Sequence, residues 1–120
     1  MLFFIYGSLK RGFHNYLMLE NIGANFIKTA STLEPTFDLI SLGAFPGLIP
    51  GNFYVQGELF DIPQKHVYEL DRFEGTPDFY KRIKLKICPL KEVFSYMYMG
   101  ETQGRQGIPV SNIENTKIWA

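Results

Sequence analysis

The chain has 120 residues, with 12 Lys and Arg against 12 Asp and Glu, and is 46% hydrophobic and 16% aromatic. That length suits a single domain over residues 1–120 with one core, and the composition is that of a globular chain rich in strand formers. Balanced charge argues against a nucleic-acid partner, which calls for a clustered basic excess, and the lone Cys88 has no partner for an internal disulfide.

Leu2 to Tyr6 is continuously apolar, as in a central strand covered on both faces, and Gly7 ends it. The following loop, "GSLKRG", invites a phosphate-binding reading, because glycines expose backbone N–H groups. Its spacing excludes the nucleotide motifs: Phe13 and His14, not Lys and Ser or Thr, follow Gly12, and a dinucleotide fingerprint needs a third glycine. From Asn15, the spacing of Leu17, Met18 and Ile22 predicts a short helix ending at Gly23, and Asn25 to Leu33 reads as a strand. Three prolines and three glycines between Glu34 and Asn52 predict short strands and turns. Phe53 to Ile62 alternates as a strand, which puts Glu58 opposite Val55, Gly57 and Leu59 on a face expected to meet solvent.

Pro63 opens a helix expected to run to Glu74 and to close before Gly75 and Pro77. On its wheel Glu74 shares the apolar face of Val67 and Leu70, where a leucine would be expected. Desolvation and the negative end of the helix dipole both raise the pKa of a carboxyl so placed. The residue then reads either as an acid/base group or as a packed carboxylate satisfied by an N–H group, Lys81 or Arg82. Phe79 to Cys88 alternates, with Ile83, Leu85 and Ile87 on one face and Arg82, Lys84 and Lys86 on the other, and Cys88 reads as a packed strand residue. Val93 to Met99 gives a last strand, and the polar tail from Glu101 reads as loop.

Strand, helix, several strands, helix and two strands make an α+β order, suited to a small mixed sheet curled towards a barrel. His14 and His66 have no ligands at metal spacing, so no metal is expected. Ser8 lacks the second glycine of a hydrolase elbow. No run approaches membrane-spanning length and no leader is visible, so a cytoplasmic setting with no membrane partner is expected. The tyrosines Tyr6, Tyr54, Tyr80, Tyr96 and Tyr98 read as strand packing, with a hydroxyl available to a pocket at a strand end.

Two segments belong together. "YGSLKRG", followed some sixty residues later by "LDRFEGTPDFYKR", resembles the γ-glutamylcyclotransferase family, and "KRGFHNYLML", "TLEP" and "VQGELFDI" look most like its γ-glutamylamine cyclotransferase branch. The resemblance runs from about Leu2 to Met99. It implies a compact mixed β-barrel flanked by short helices, no cofactor, and a small-molecule γ-glutamyl substrate cleaved by intramolecular attack to release 5-oxoproline and an amine. Matching positions imply that Tyr6, Gly7, Ser8 and Leu9 surround the γ-glutamyl group and that Glu74 is the acid/base. Tyr80 and Arg82 match a recurrent substrate-side segment, although alternation puts them opposite Ile83 and Leu85, so that a bulge is needed to turn them inward. The chain is short after Met99, and the resemblance leaves the substrate and the oligomeric state open. Two other readings compete: a binding module that holds a γ-glutamyl or 5-oxoproline-like metabolite without turning it over, and an interaction protein that uses the barrel as a scaffold.

Overall fold

In a computed structural model, which describes residues 1–89 and 91–120, the first apolar run forms β1, Leu2–Ile5, with Phe3 and Phe4 fully excluded from water. A short helix, α1, covers Tyr16–Asn21, and Gly23 turns the chain with φ +74°. Strand β2 is Asn25–Ser31, β3 and β4 are Phe37–Ser41 and Pro46–Pro50, and β5 is Tyr54–Asp61. One 3-10 turn, Gln64–His66, leads into α2, Val67–Phe73. Strands β6, Tyr80–Ile87, and β7, Lys91–Tyr98, are followed by a two-residue β8, Thr116–Lys117.

Among the described residues the main sheet runs in the order β2-β5-β1-β7-β6, with β8 added beside β5 and the β3–β4 hairpin separate. Strand β1 is therefore central, antiparallel to β5 and parallel to β7. The sheet curls until its two edges meet at one end: Cys88 donates to the Ser31 carbonyl at 3.0 Å and Leu33 to the Lys86 carbonyl at 2.8 Å. A register shift between Phe26 and Lys28 bends β2 into that curl.

Both faces of the sheet are buried. Phe3, Ile5, Phe60 and Tyr96 pack with Leu19 of α1 and Leu70 of α2 on one side. Phe4, Leu59, Leu85 and Val93 pack with Leu39 and Leu48 of the hairpin on the other. Each such fully buried side chain contributes about 1.5–3 kcal/mol, so β1, apolar on both faces, anchors two cores at once.

The structure corrects four expectations. Tyr80 turns inward with no bulge, since the β6–β7 register is unbroken from Tyr80↔Tyr98 to Ile87↔Lys91. The face opposite Ile83 and Leu85 is buried at its Tyr80 end, while Arg82 is half-buried and Lys84 and Lys86 remain exposed. Glu58 is largely shielded rather than solvent-facing: its side chain is 12% exposed and accepts from the Arg11 backbone N–H at 2.8 Å and from Arg11 Nε at 3.1 Å. Cys88 lies exposed in the turn after β6 rather than packed in the strand. The tail is not all loop, because β8 pairs with β5 in parallel and residues 106–108 hydrogen-bond to β3. No helix among the described residues is long and apolar enough to cross a membrane.

Candidate active site

The loop after β1 is set by close approach. A Cβ on Gly7 would lie 2.8 Å from Cγ and Cδ of Pro46, so only glycine lets the loop rest on the hairpin. The Gly7 carbonyl accepts from Lys10 N–H at 3.0 Å and the Ser8 carbonyl from Asn15 N–H at 3.1 Å, while Asn15 Nδ2 donates to Ser8 Oγ at 3.0 Å. The carbonyls of the turn are thereby occupied. Its N–H groups are not: those of Gly7, Ser8 and Leu9 find no acceptor among the described residues. Successive unoccupied N–H groups form a concavity suited to an anion or a developing oxyanion.

The end of α2 supplies the other wall. Gly75, at φ +68°, donates to the Arg72 carbonyl at 3.1 Å, and Thr76 N–H reaches the Asp71 carbonyl at 3.0 Å. These are the two bonds of a Schellman turn, which makes Glu74 the last residue before the chain reverses. Val67 and Leu70 bury themselves on the sheet, and Glu74, on the same face one turn further, arrives where the sheet gives way to a cavity.

That cavity, of about 160 Å³, is lined by the loop from Tyr6 to Leu9, Asn15 of the turn before α1, Phe45 and Pro46 of the hairpin, Phe73 and Glu74 of α2, and Phe79, Tyr80 and Tyr96. Burial, and secondarily the charge of Asp71, raise the Glu74 carboxyl to about 8. No hydrogen bond opposes the shift, and neither Lys81 nor Arg82 pairs with the group among the described residues. At neutral pH it is protonated and within about one pH unit of its titration, the range in which a carboxyl both accepts and returns a proton.

The tyrosine hydroxyls are committed elsewhere. Tyr6 Oη donates to the Tyr96 carbonyl at 2.8 Å and accepts from Leu48 N–H at 3.1 Å, so Tyr6 offers the cavity its backbone rather than its phenol. Tyr80 Oη donates to the Pro46 carbonyl at 2.7 Å, and Tyr96 Oη to Asp71 Oδ1 at 2.5 Å. Burial pushes all three phenols well above their ordinary value, which keeps them neutral. Arg82 lies behind this layer, 3.7 Å from Asp71 Oδ2 and stacked over Phe94.

Of the residues singled out in the sequence, the fold brings together Tyr6, Gly7, Ser8, Leu9, Glu74 and Tyr80, and leaves Arg82 and Glu58 outside the lining. The sequence reading missed Asn15, Phe45, Pro46, Asp71, Phe73 and Phe79. Asn15 carried a weak signal: it sits at the start of α1, yet its side chain makes no capping bond and is spent on Ser8. Phe73 and Phe79 flank Glu74 and Gly75, but nothing in their spacing marks them as cavity walls.

Fold and site together define a class: a small α+β protein in which a helix-end carboxyl shares a cavity with a loop of unoccupied N–H donors. The chain belongs to the gamma-glutamyl cyclotransferase, AIG2-like family, whose pattern it matches over residues 3–116. It is 40% identical over 98 residues to gamma-glutamylaminecyclotransferase B of Danio rerio, covering 75% of this chain and 51% of that protein. A putative gamma-glutamylcyclotransferase of Vibrio cholerae is 31% identical over 97 residues, 81% of each chain. The chain thus spans about half the length of the fish relative and most of the bacterial one. The crystal structure of an AIG2-like protein from Mus musculus superposes with a TM-score of 0.76 at 27% identity, covering 85% of this chain and 79% of that one.

Proposed function

We propose that this chain is a γ-glutamylcyclotransferase that cleaves a γ-glutamyl amide by intramolecular attack of the substrate's own α-amine, releasing 5-oxoproline and an amine. The carrying observation is a single cavity that holds both a carboxyl titrating at about 8 and the N–H groups of Gly7 to Leu9. Family membership and the names of the relatives support the same reading.

The reaction needs proton transfer more than a cofactor. The α-ammonium must lose a proton before its nitrogen can attack the γ-carbon, and Glu74, as carboxylate, takes it. Closing the five-membered ring puts negative charge on the γ-carbonyl oxygen, which the loop's N–H groups stabilise. As the γ-carbon to nitrogen bond breaks, Glu74 gives the proton to the departing nitrogen. Overall two protons pass from the α-nitrogen to the leaving nitrogen, leaving a lactam N–H and an ammonium. Holding the amine against the γ-carbon makes the attack effectively unimolecular, and the committed hydroxyls of Tyr6, Tyr80 and Tyr96 keep the walls fixed while it happens.

In this scheme Asp71 acts through Glu74, and Arg82 acts through Asp71. The binding-module alternative keeps the same cavity without turnover. Measuring 5-oxoproline release from a panel of γ-glutamyl amines and peptides, with wild type and Glu74→Gln side by side, separates the two. Release by the wild type alone is expected. No release from any substrate, with 5-oxoproline still bound, would favour the module.

A further inference from the structure

A second pocket, of about 190 Å³, lies beside the loop after β1 and shares no lining residue with the active-site cavity. The register of β2 on β5 sets Thr29 opposite Glu58, and alternation puts Gln56 on the face that also carries Glu58 and Phe60. Tyr16 of α1 packs on Phe60. Further along that face the lining is Thr29, Gln56, Gly57 and Glu58 of the sheet, Lys10 and Phe13 of the loop, and Ile118 of the tail. Its volume suits a group of several heavy atoms rather than one water.

Two polar groups in this lining lack the partners that burial calls for. Lys10 is 7% exposed, yet among the described residues no carboxylate lies within ion-pair distance of its ammonium. Lys10 Nζ donates to the Trp119 carbonyl at 2.6 Å and stands 4.8 Å from the centre of the Phe13 ring. A tether to the tail therefore explains one of its three N–H groups. Glu58 has both oxygens engaged by Arg11. Burial lowers the Lys10 pKa, and the charge of Glu58 offsets this only in part. Gln56 Oε1 is also buried, with no donor among the described residues. A buried ammonium without a counter-ion and a buried amide oxygen without a donor both cost stability, and a ligand complementary to both recovers it.

We propose that this pocket binds a small aminocarboxylic acid as its zwitterion, with the carboxylate on Lys10 Nζ and the ammonium on Gln56 Oε1 in the field of Glu58. A simple anion would satisfy Lys10, but would leave Gln56 without a donor and bring a second negative charge towards Glu58. A simple amine would satisfy Gln56 and set a like charge against Lys10. Only a ligand carrying both charges answers both groups. The site stands apart from the γ-glutamyl reaction, and its test needs no turnover.

Glycine, β-alanine and 4-aminobutyrate, which hold the two charges at increasing separation, are titrated into the wild-type protein by calorimetry, with acetate and ethylamine as single-charge controls. At least one of the three is expected to saturate with a Kd of about 1 mM or tighter, and to bind about tenfold or more tightly than either control, the worth of one further charge-assisted hydrogen bond. Backbone amide shifts locate the ligand: those of Thr29, Gln56, Gly57 and Ile118 should move, and shifts centred on Ser8 and Glu74 instead overturn the site. Lys10→Met and Gln56→Met keep an unbranched side chain and remove its polar end, and each should weaken binding about tenfold or more. Gln56→Met takes away an unpartnered buried oxygen, so the ligand-free protein should keep its urea midpoint, and this variant decides the matter even if Lys10→Met releases the tail and fails to fold. No saturation by any of the three, a control that binds as tightly, or an affinity unmoved by Gln56→Met overturns the proposal.

Discussion

Glu74→Gln should disable the protein and stabilise it at alkaline pH. Gln keeps the shape and hydrogen-bonding capacity of the residue, but cannot take a proton from the α-ammonium or return one to the leaving nitrogen. General acid/base catalysis contributes about 10²–10⁴-fold, and one group serving both steps puts the loss of kcat at about 10³-fold or more. Stability moves the other way. The carboxyl titrates at 4.5 in the unfolded chain and about 8 in the folded one, so folding takes up a proton between those values. The contribution of Glu74 to stability is therefore intact below about pH 4.5 and is lost as the pH climbs towards 8. Each pH unit in that window costs up to about 1.4 kcal/mol, a ceiling near 5 kcal/mol across it. The cavity admits water, which screens the charge, and about 2 kcal/mol is the expected gain of Glu74→Gln over wild type at pH 9. Urea unfolding of both proteins at pH 4, 7 and 9, beside 5-oxoproline release, tests the pair of effects. A Gln variant whose advantage does not grow between pH 4 and pH 9 refutes a desolvated carboxyl, and an active one refutes the acid/base role.

Wild-type kcat/KM should rise about tenfold per pH unit up to about pH 8 as Glu74 ionises, and Asp71→Asn, which removes a neighbouring negative charge, should move that limb to lower pH; an unmoved limb would detach Asp71 from Glu74. Gly7→Ala forces a Cβ to within 2.8 Å of Pro46 and should cost about 1–3 kcal/mol in unfolding free energy as well as displacing the loop, so binding of 5-oxoproline followed by amide chemical shifts of Gly7 to Leu9 should weaken with it. Glu58→Gln removes only the ion pair with Arg11, outside the cavity; kcat/KM within about threefold of wild type and a stability loss of about 1 kcal/mol or less are expected, and an inactive but folded variant would move the acid/base role to Glu58.

Much of this protein is determined locally and can be read from the chain. The run Leu2 to Tyr6 is apolar at every position, which only a strand covered on both sides tolerates, and β1 is central. Gly75 after Phe73 and Glu74 is a Schellman stop, and helical periodicity places Glu74 with Val67 and Leu70 whatever they pack against. The pairing of the glycine loop with the helix-end glutamate came only from the family resemblance of two short contiguous segments, not from their local physics. What the chain alone left undecided depends on residues far apart in sequence. Alternation in β6 and β5 separates two faces but cannot say that both are covered, and so it sent Tyr80 and Glu58 towards water. The hairpin brings the Pro46 carbonyl to Tyr80, and the loop after β1 brings Arg11 to Glu58, contacts 34 and 47 residues apart. The walls of the cavity are of the same kind: Asn15, Phe45 and Phe79 come from three separate turns, and Asp71 gains its place from Tyr96 and Arg82 on neighbouring strands. Periodicity records which way a side chain leaves its own element, and only the packing of elements decides whether it meets solvent, a second core or a cavity.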